Sequence, residues 1–210
     1  MRSNEKHRGK KKAVYERPFS KFDNVVIPMK SQRKIPKTPF KVLDAPALKD
    51  DYYLNLLDWS SSNILAVGLA SNIYLWSAST SRVTKLADLG SDNSVASIQW
   101  SKRGTSIGIG TNDGFCQIWD VVKCKMIRNY AGHTNRVGSL AWSTNLLASG
   151  SRDKSILLRD IRTKDSFISH LIGHKQEVCG LKWAFGEQQL ASGGNDNKLL
   201  VWNASRAEIP

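Results

Sequence analysis

Cysteine is scarce in this chain. Cys116, Cys124 and Cys179 are the whole complement, and no two form a C-x-x-C pair. That rules out a disulfide framework and the usual zinc ribbons, and it suits free thiols in a reducing compartment. Long apolar runs are missing too: nothing approaches the roughly 18 consecutive apolar residues of a membrane-spanning helix. The N-terminus is polar and basic, without the apolar segment of a secretory signal. No metal or cofactor is expected. Acidic charge is short, with 18 Asp and Glu against 31 Lys and Arg. The deficit is local, because residues 1–41 hold 13 basic and 3 acidic residues and residues 42–210 hold 18 and 15.

Residues 1–41 therefore read as a basic tail and lead-in. "KHRGKKKAVYERP" has neither helical nor strand periodicity and is expected to be disordered. A solvated tail and a nuclear-import signal are the leading readings of it. Nucleic-acid binding comes third, since the interleaved aromatics of such modules are absent.

What the rest of the chain does have is tryptophan at a fixed interval. "LNLLDW", "ASIQW", "GSLAW" and "CGLKW" end in Trp59, Trp100, Trp142 and Trp183, spaced by 41, 42 and 41 residues. A second landmark follows 17 or 19 residues later, at Trp76, Trp119, Arg159 and Trp202. Short alternating strands on this period predict an all-β fold, a WD-repeat propeller with four repeats over residues 42–210. Gly132-His133 and Gly173-His174 each place the His nine residues before the first landmark, and Asp113, Asp153 and Asp196 each precede the second landmark by six. In WD repeats the His, a strand Ser, the turn Asp and the Trp form a hydrogen-bonded tetrad, which here predicts His174, Ser192, Asp196 and Trp202. The third repeat offers His133, Ser149 and Asp153 with Arg159 in place of Trp. The second offers Thr111, Asp113 and Trp119, with Ser91 at the His position. A Ser, a His and an Asp in one repeat could suggest a hydrolase, but a catalytic triad needs one copy in a cleft. Recurrence points to a structural network, and no enzyme activity is expected.

Several stretches are more specific than the repeat. "RKIPKTPFKVLDAPALKDDYYLNLLDWSSSNILAVGL", "HTNRVGSLAW", "GSRDKSILLRDIR", "HKQEVCGLKW" and "LASGGNDNKLLVW" together resemble the fizzy/fizzy-related family, the substrate-recruiting coactivators of the anaphase-promoting complex. The resemblance implies subunits of that complex and degron-bearing proteins as partners, no cofactor, and a nuclear and cytoplasmic location. It implies that Asp51 meets the lysine of a KEN degron, with Asn195 and Asn197 holding the motif through their amides. It also implies that Leu43, Asp44 and Pro46 form one wall of a destruction-box groove. By offset from Trp59, Asp50 falls at the His position of the first repeat, so Asp51 is expected on the same face as the two asparagines. The family propeller has about seven blades, so the chain is expected to be partial, with further blades on the C-terminal side. The family's D-R-(Tyr/Phe)-I-P and Ile-Arg docking motifs are not found in it. Two alternatives carry weight: a generic nuclear scaffold, and an RNA- or chromatin-associated propeller led by the basic tail.

Overall fold

Alternating apolar residues bounded by Ser-, Asn- and Gly-rich turns build fifteen short strands in the computed structural model, which describes residues 34–186 and 188–203. The chain divides after Leu43, and the account below concerns the unit that begins at Asp44. The expectation for the first 30 residues lies outside the described residues.

The first blade comprises β1 (Leu57–Trp59), β2 (Ile64–Leu69), β3 (Asn72–Ser77) and β4 (Val83–Asp88). The second comprises β5 (Val95–Trp100), β6 (Ser106–Thr111), β7 (Cys116–Asp120) and β8 (Lys125–Tyr130). The third comprises β9 (Ser139–Trp142), β10 (Leu146–Gly150), β11 (Ser155–Asp160) and β12 (Ser169–Ile172). The fourth holds β13 (Val178–Trp183), β14 (Gln189–Gly194) and β15 (Leu199–Asn203). Each sheet is antiparallel with strands in chain order. Four repeats thus give three four-stranded blades and one with three strands among the described residues, where four four-stranded blades are expected.

Burial explains the sequence texture. β11 is buried at every position, with the apolar run Ile156, Leu157 and Leu158 at its centre and the polar Ser155, Arg159 and Asp160 held at its ends. β15 faces a neighbouring blade on one side only and alternates exposed and half-buried in LLVWN. Cores form between successive blades. Ile73, Leu75, Ile98 and Ile107 fill the first seam, Ile118, Val137, Leu140 and Leu147 the second, and Ala148, Ile156, Val178 and Leu190 the third.

The landmark tryptophans stitch those seams. Trp100, Trp142 and Trp183 each donate their indole N–H to a carbonyl in the preceding blade: Asp58 at 3.2 Å, Gln99 at 3.0 Å and Ala141 at 3.0 Å. In each case the acceptor directly precedes the previous landmark tryptophan. Trp59 has no such partner among the described residues. It is 50% exposed and donates to Asn63 of its own turn at 3.2 Å. A backbone stitch runs in parallel, from the amides of Val95, Val137 and Val178 to the carbonyls of Ala70, Thr111 and Ser151.

Candidate peptide-recognition site

The tetrad fixes the loops that carry the candidate residues. His174 Nδ1 pairs with Asp196 Oδ1 at 3.0 Å and Nε2 with Ser192 Oγ at 2.8 Å, while Trp202 Nε1 donates to the same Ser192 oxygen at 2.8 Å. Asp196 also accepts from the backbone amides of Lys175 and Lys198 at 2.8 and 3.2 Å. The Lys175 amide is the main influence holding the Asp196 carboxyl down to about 2; burial opposes it and His174 adds to it. Gly194 is required by contact: a Cβ there would sit 2.7 Å from Asp196 Oδ1 and overlap the His174 ring. Ser192 is 1% exposed, so its hydroxyl is an internal link and not a surface nucleophile.

The third blade repeats the network. His133 bonds Asp153 Oδ2 at 2.9 Å and Ser149 Oγ at 2.8 Å. Arg159 stands in for tryptophan, donating from Nη1 to Ser149 and from Nη2 to Ala131 O at 3.2 Å, fully buried and 5.7 Å from the Tyr130 ring centroid. Burial pulls its pKa down. Burial also resists ionisation of Asp153, but hydrogen bonds from His133 and Ser155 overcome it and hold the carboxyl below its usual range.

The second blade differs from expectation. Ser91 donates to Asp92 at 3.1 Å, and Trp119 donates to Gln117 at 2.9 Å. Thr111 bonds Asp113 directly, so a local two-residue link replaces the relay. A serine is too short to span the gap that an imidazole bridges in the other blades. A G-x-S-x-G match, GTSIG at residues 104–108, is also structural. Its Ser106 opens β6 and pairs in register with Asp120, with no strand-to-helix elbow around it.

The rim next to these tetrads carries a polar cavity of about 510 Å³, lined by Asp51, Tyr53, Arg136, Arg152, Lys154, Gln176, Glu177 and Asn195. Asp51 and Asn195 therefore share one cavity. Asn197 does not line it. Its φ is +61°, matching Lys154 at +76° and Gly114 at +95° at the same turn position of the third and second blades. Asn at that place suits the left-handed turn conformation. Leu43, Asp44 and Pro46 are exposed, and Asp44 and Pro46 do not line this cavity.

Two details depart from the expected acid with free amides. Asn195 already donates from Nδ2 to Gln176 Oε1 at 2.8 Å. Asp51 accepts from the Tyr53 amide at 2.9 Å and from Arg136 Nη1 at 3.1 Å. The Tyr53 amide and then the Arg136 charge keep its carboxyl below the ordinary range, against some desolvation. Arg136 is the residue missed by sequence reasoning. It holds Glu177 with two bonds, Nε to Oε1 at 2.8 Å and Nη2 to Oε2 at 3.0 Å, and lies 5.1 Å over the Tyr53 ring. The available signal was an exchange of charge at one repeat position: Tyr53, Ser94, Arg136 and Glu177 all lie six residues before a landmark tryptophan.

The CDC20/Fizzy WD40 domain matches residues 43–209. The chain belongs to the CDC20/Fizzy WD40 family. B-type cell cycle switch protein ccs52A of Medicago truncatula is 62% identical over 84% of this chain and 37% of its own length. Protein FIZZY-RELATED 1 of Arabidopsis thaliana is 59% identical over 88% of this chain and 40% of its own. Anaphase-promoting complex subunit cdh1 of Dictyostelium discoideum is 54% identical over 87% of this chain and 24% of its own. The chain thus spans well under half the length of these relatives. Among solved structures, a chain from a crystal structure of a mitotic checkpoint complex superposes with a TM-score of 0.80 at 44% identity, covering 85% of this chain and 56% of that one.

Proposed function

We propose that this chain is the substrate-receiving part of an anaphase-promoting-complex coactivator, a non-enzymatic receptor for KEN and destruction-box degrons acting in the nucleus and cytoplasm. One observation carries the reading: Asp51 of the first blade and Asn195 of the fourth line the same rim cavity. Asp51 offers a carboxylate whose second lone pairs remain open to an ammonium, and the Asn195 side chain keeps its carbonyl oxygen for a donor on the ligand. Asn197 shapes the turn beside them, and Leu43, Asp44 and Pro46 are candidates for the destruction-box wall.

The test is titration of the chain with a KEN peptide and its triple-alanine counterpart. Asp51→Asn is expected to weaken KEN binding by ~1–3 kcal/mol, as for a charge-assisted hydrogen bond, and Asn195→Ala is expected to weaken it too. Equal affinity for the two peptides would sink the proposal.

A further inference from the structure

The turn between β5 and β6, at the end of the molecule away from the rim cavity, carries a pattern that the repeat does not explain. Each landmark tryptophan is followed by a turn, and three of these open without charge: Ser60–Asn63, Ser143–Asn145 and Ala184–Gly186. The second blade instead has Ser-Lys-Arg-Gly-Thr over residues 101–105. Lys102-Arg103 is the one adjacent pair of Lys or Arg in residues 44–203. A threonine with basic residues two and three positions before it suits the acidic substrate groove of a basic-directed protein kinase. Thr105, Lys102 and Arg103 are all exposed, whereas Ser106 is half-buried and held in register with Asp120. Gly104 takes φ +70° and donates its amide to Ser101 O at 2.9 Å. Its freedom lets the turn be drawn out into the extended chain that a kinase groove accepts.

The surroundings of Thr105 suit the product as well as the substrate. Thr105 borders a cavity of about 250 Å³ between the second and third blades. Lys102, Arg103 and Arg128 line it, with Thr144 and Asn145 on the third-blade side, and no described lining residue is acidic. Arg103 and Arg128 make no ion pair among the described residues. Arg128 Nη1 donates to Ile127 O at 3.1 Å, but its Nε is buried without a hydrogen-bond partner. An unmet buried donor costs stability. A phosphate brings a charge of about −2 and three acceptor oxygens to such a place.

We propose that Thr105 is a phosphorylation site for a basic-directed Ser/Thr kinase, and that Arg103 and Arg128 hold the phosphate it receives. The Thr105 hydroxyl oxygen forms a bond to the γ-phosphorus of ATP as the bond to the β-phosphate oxygen breaks. ADP leaves, and the hydroxyl proton passes to the catalytic base of the kinase. The phosphate then ties the β5–β6 turn to β8 and fills the seam against the third blade. The site does not depend on the degron-receptor reading.

The whole chain is incubated with ATP and the catalytic subunit of a cyclic-AMP-dependent kinase, and modified residues are mapped by mass spectrometry. A synthetic peptide of residues 98–110 serves as the unfolded reference. Thr105 is expected to be modified in the folded chain. Thr105→Val and Lys102→Gln/Arg103→Gln should abolish that modification, and Ser106→Ala should leave it. Modification of the peptide but not of the folded chain, of Ser106 in place of Thr105, or of neither, overturns the site. The cradle is read by phosphorus NMR on the modified chain. The second ionisation of a free phosphothreonine falls at about 6, and neighbouring cations should lower it by about one unit. Arg128→Gln lies outside the kinase motif, so it should be modified equally and should move the ionisation back toward that of the peptide. Phosphorylation should also raise the melting temperature of wild type more than that of Arg128→Gln. A phosphate that titrates in the folded chain as it does in the peptide overturns the cradle.

Discussion

At the scale of single residues, Ser192 and Ser149 do the same job under different loads. Each hydroxyl lies between a histidine and a donor from the third strand of its blade, Trp202 in one case and Arg159 in the other. Ser192→Ala leaves the His174 nitrogen and the Trp202 indole without their partner, and is expected to cost ~1–3 kcal/mol of stability. Ser149→Ala is expected to cost more, because the orphaned donor is a buried guanidinium whose Nε already lacks a partner. Urea-unfolding midpoints of the two variants decide the order. The depressed carboxyls add a pH signature. A group whose folded pKa lies below its unfolded value stabilises above the unfolded value, and the benefit fades as pH falls through the folded one. For Asp196 the window runs from its ordinary 3.8 down to about 2. Acid should therefore loosen the His174–Asp196 loop pair across that range, and Asp196→Asn should flatten the dependence seen by circular dichroism. The His and Asp of the third and fourth blades fall at fixed offsets of nine and six residues, and the structure joins each pair. The second blade was not legible in this way, since an offset gives position along the chain and says nothing of how far a serine reaches.

At the scale of elements, the strand pattern and the repeat period came through because each tryptophan answers to a contact that recurs. The indole of Trp142 or Trp183 needs the carbonyl of the blade before it, and that geometry tolerates little change in spacing. Trp142→Phe and Trp183→Phe keep one aromatic ring but lose this bond and part of the buried indole, and each is expected to lower stability by at least ~0.5–1.5 kcal/mol, the share of the bond alone. Trp59→Phe should be close to neutral, because its N–H meets only the exposed Asn63. Chemical denaturation of the three variants checks the contrast, and equal losses would mean that the seams do not depend on the indole bond. Arg136 escaped notice for the converse reason. Its partners lie 41 and 85 positions away and share no motif with it. Only lining up the four repeats brings out a cation facing an anion at equivalent sites.

At the scale of the whole chain, successive seams share one chemistry while the rim does not, and this separates what holds the fold from what could confer selectivity. The seam residues are apolar and interchangeable between blades, as expected of a stack in which each unit is stabilised by its neighbours. The rim residues differ from blade to blade, so each blade contributes a different recognition chemistry on an equivalent scaffold. Trp59 marks where the stack presents a half-exposed indole; it should be readily quenched by acrylamide, whereas the buried Trp100, Trp142 and Trp183 should be shielded. Single-tryptophan fluorescence would register the difference. The Asp51–Arg136 bond has a further consequence. Together with the Asn55 amide bonded to the Gly138 carbonyl at 2.6 Å, it joins the first blade directly to the third, inside the arc of the second. The inner edge is therefore braced from the first blade to the third, past the second. Neither bond involves the second blade's outer strands, β7 and β8, so the link between the first and third blades does not run through them.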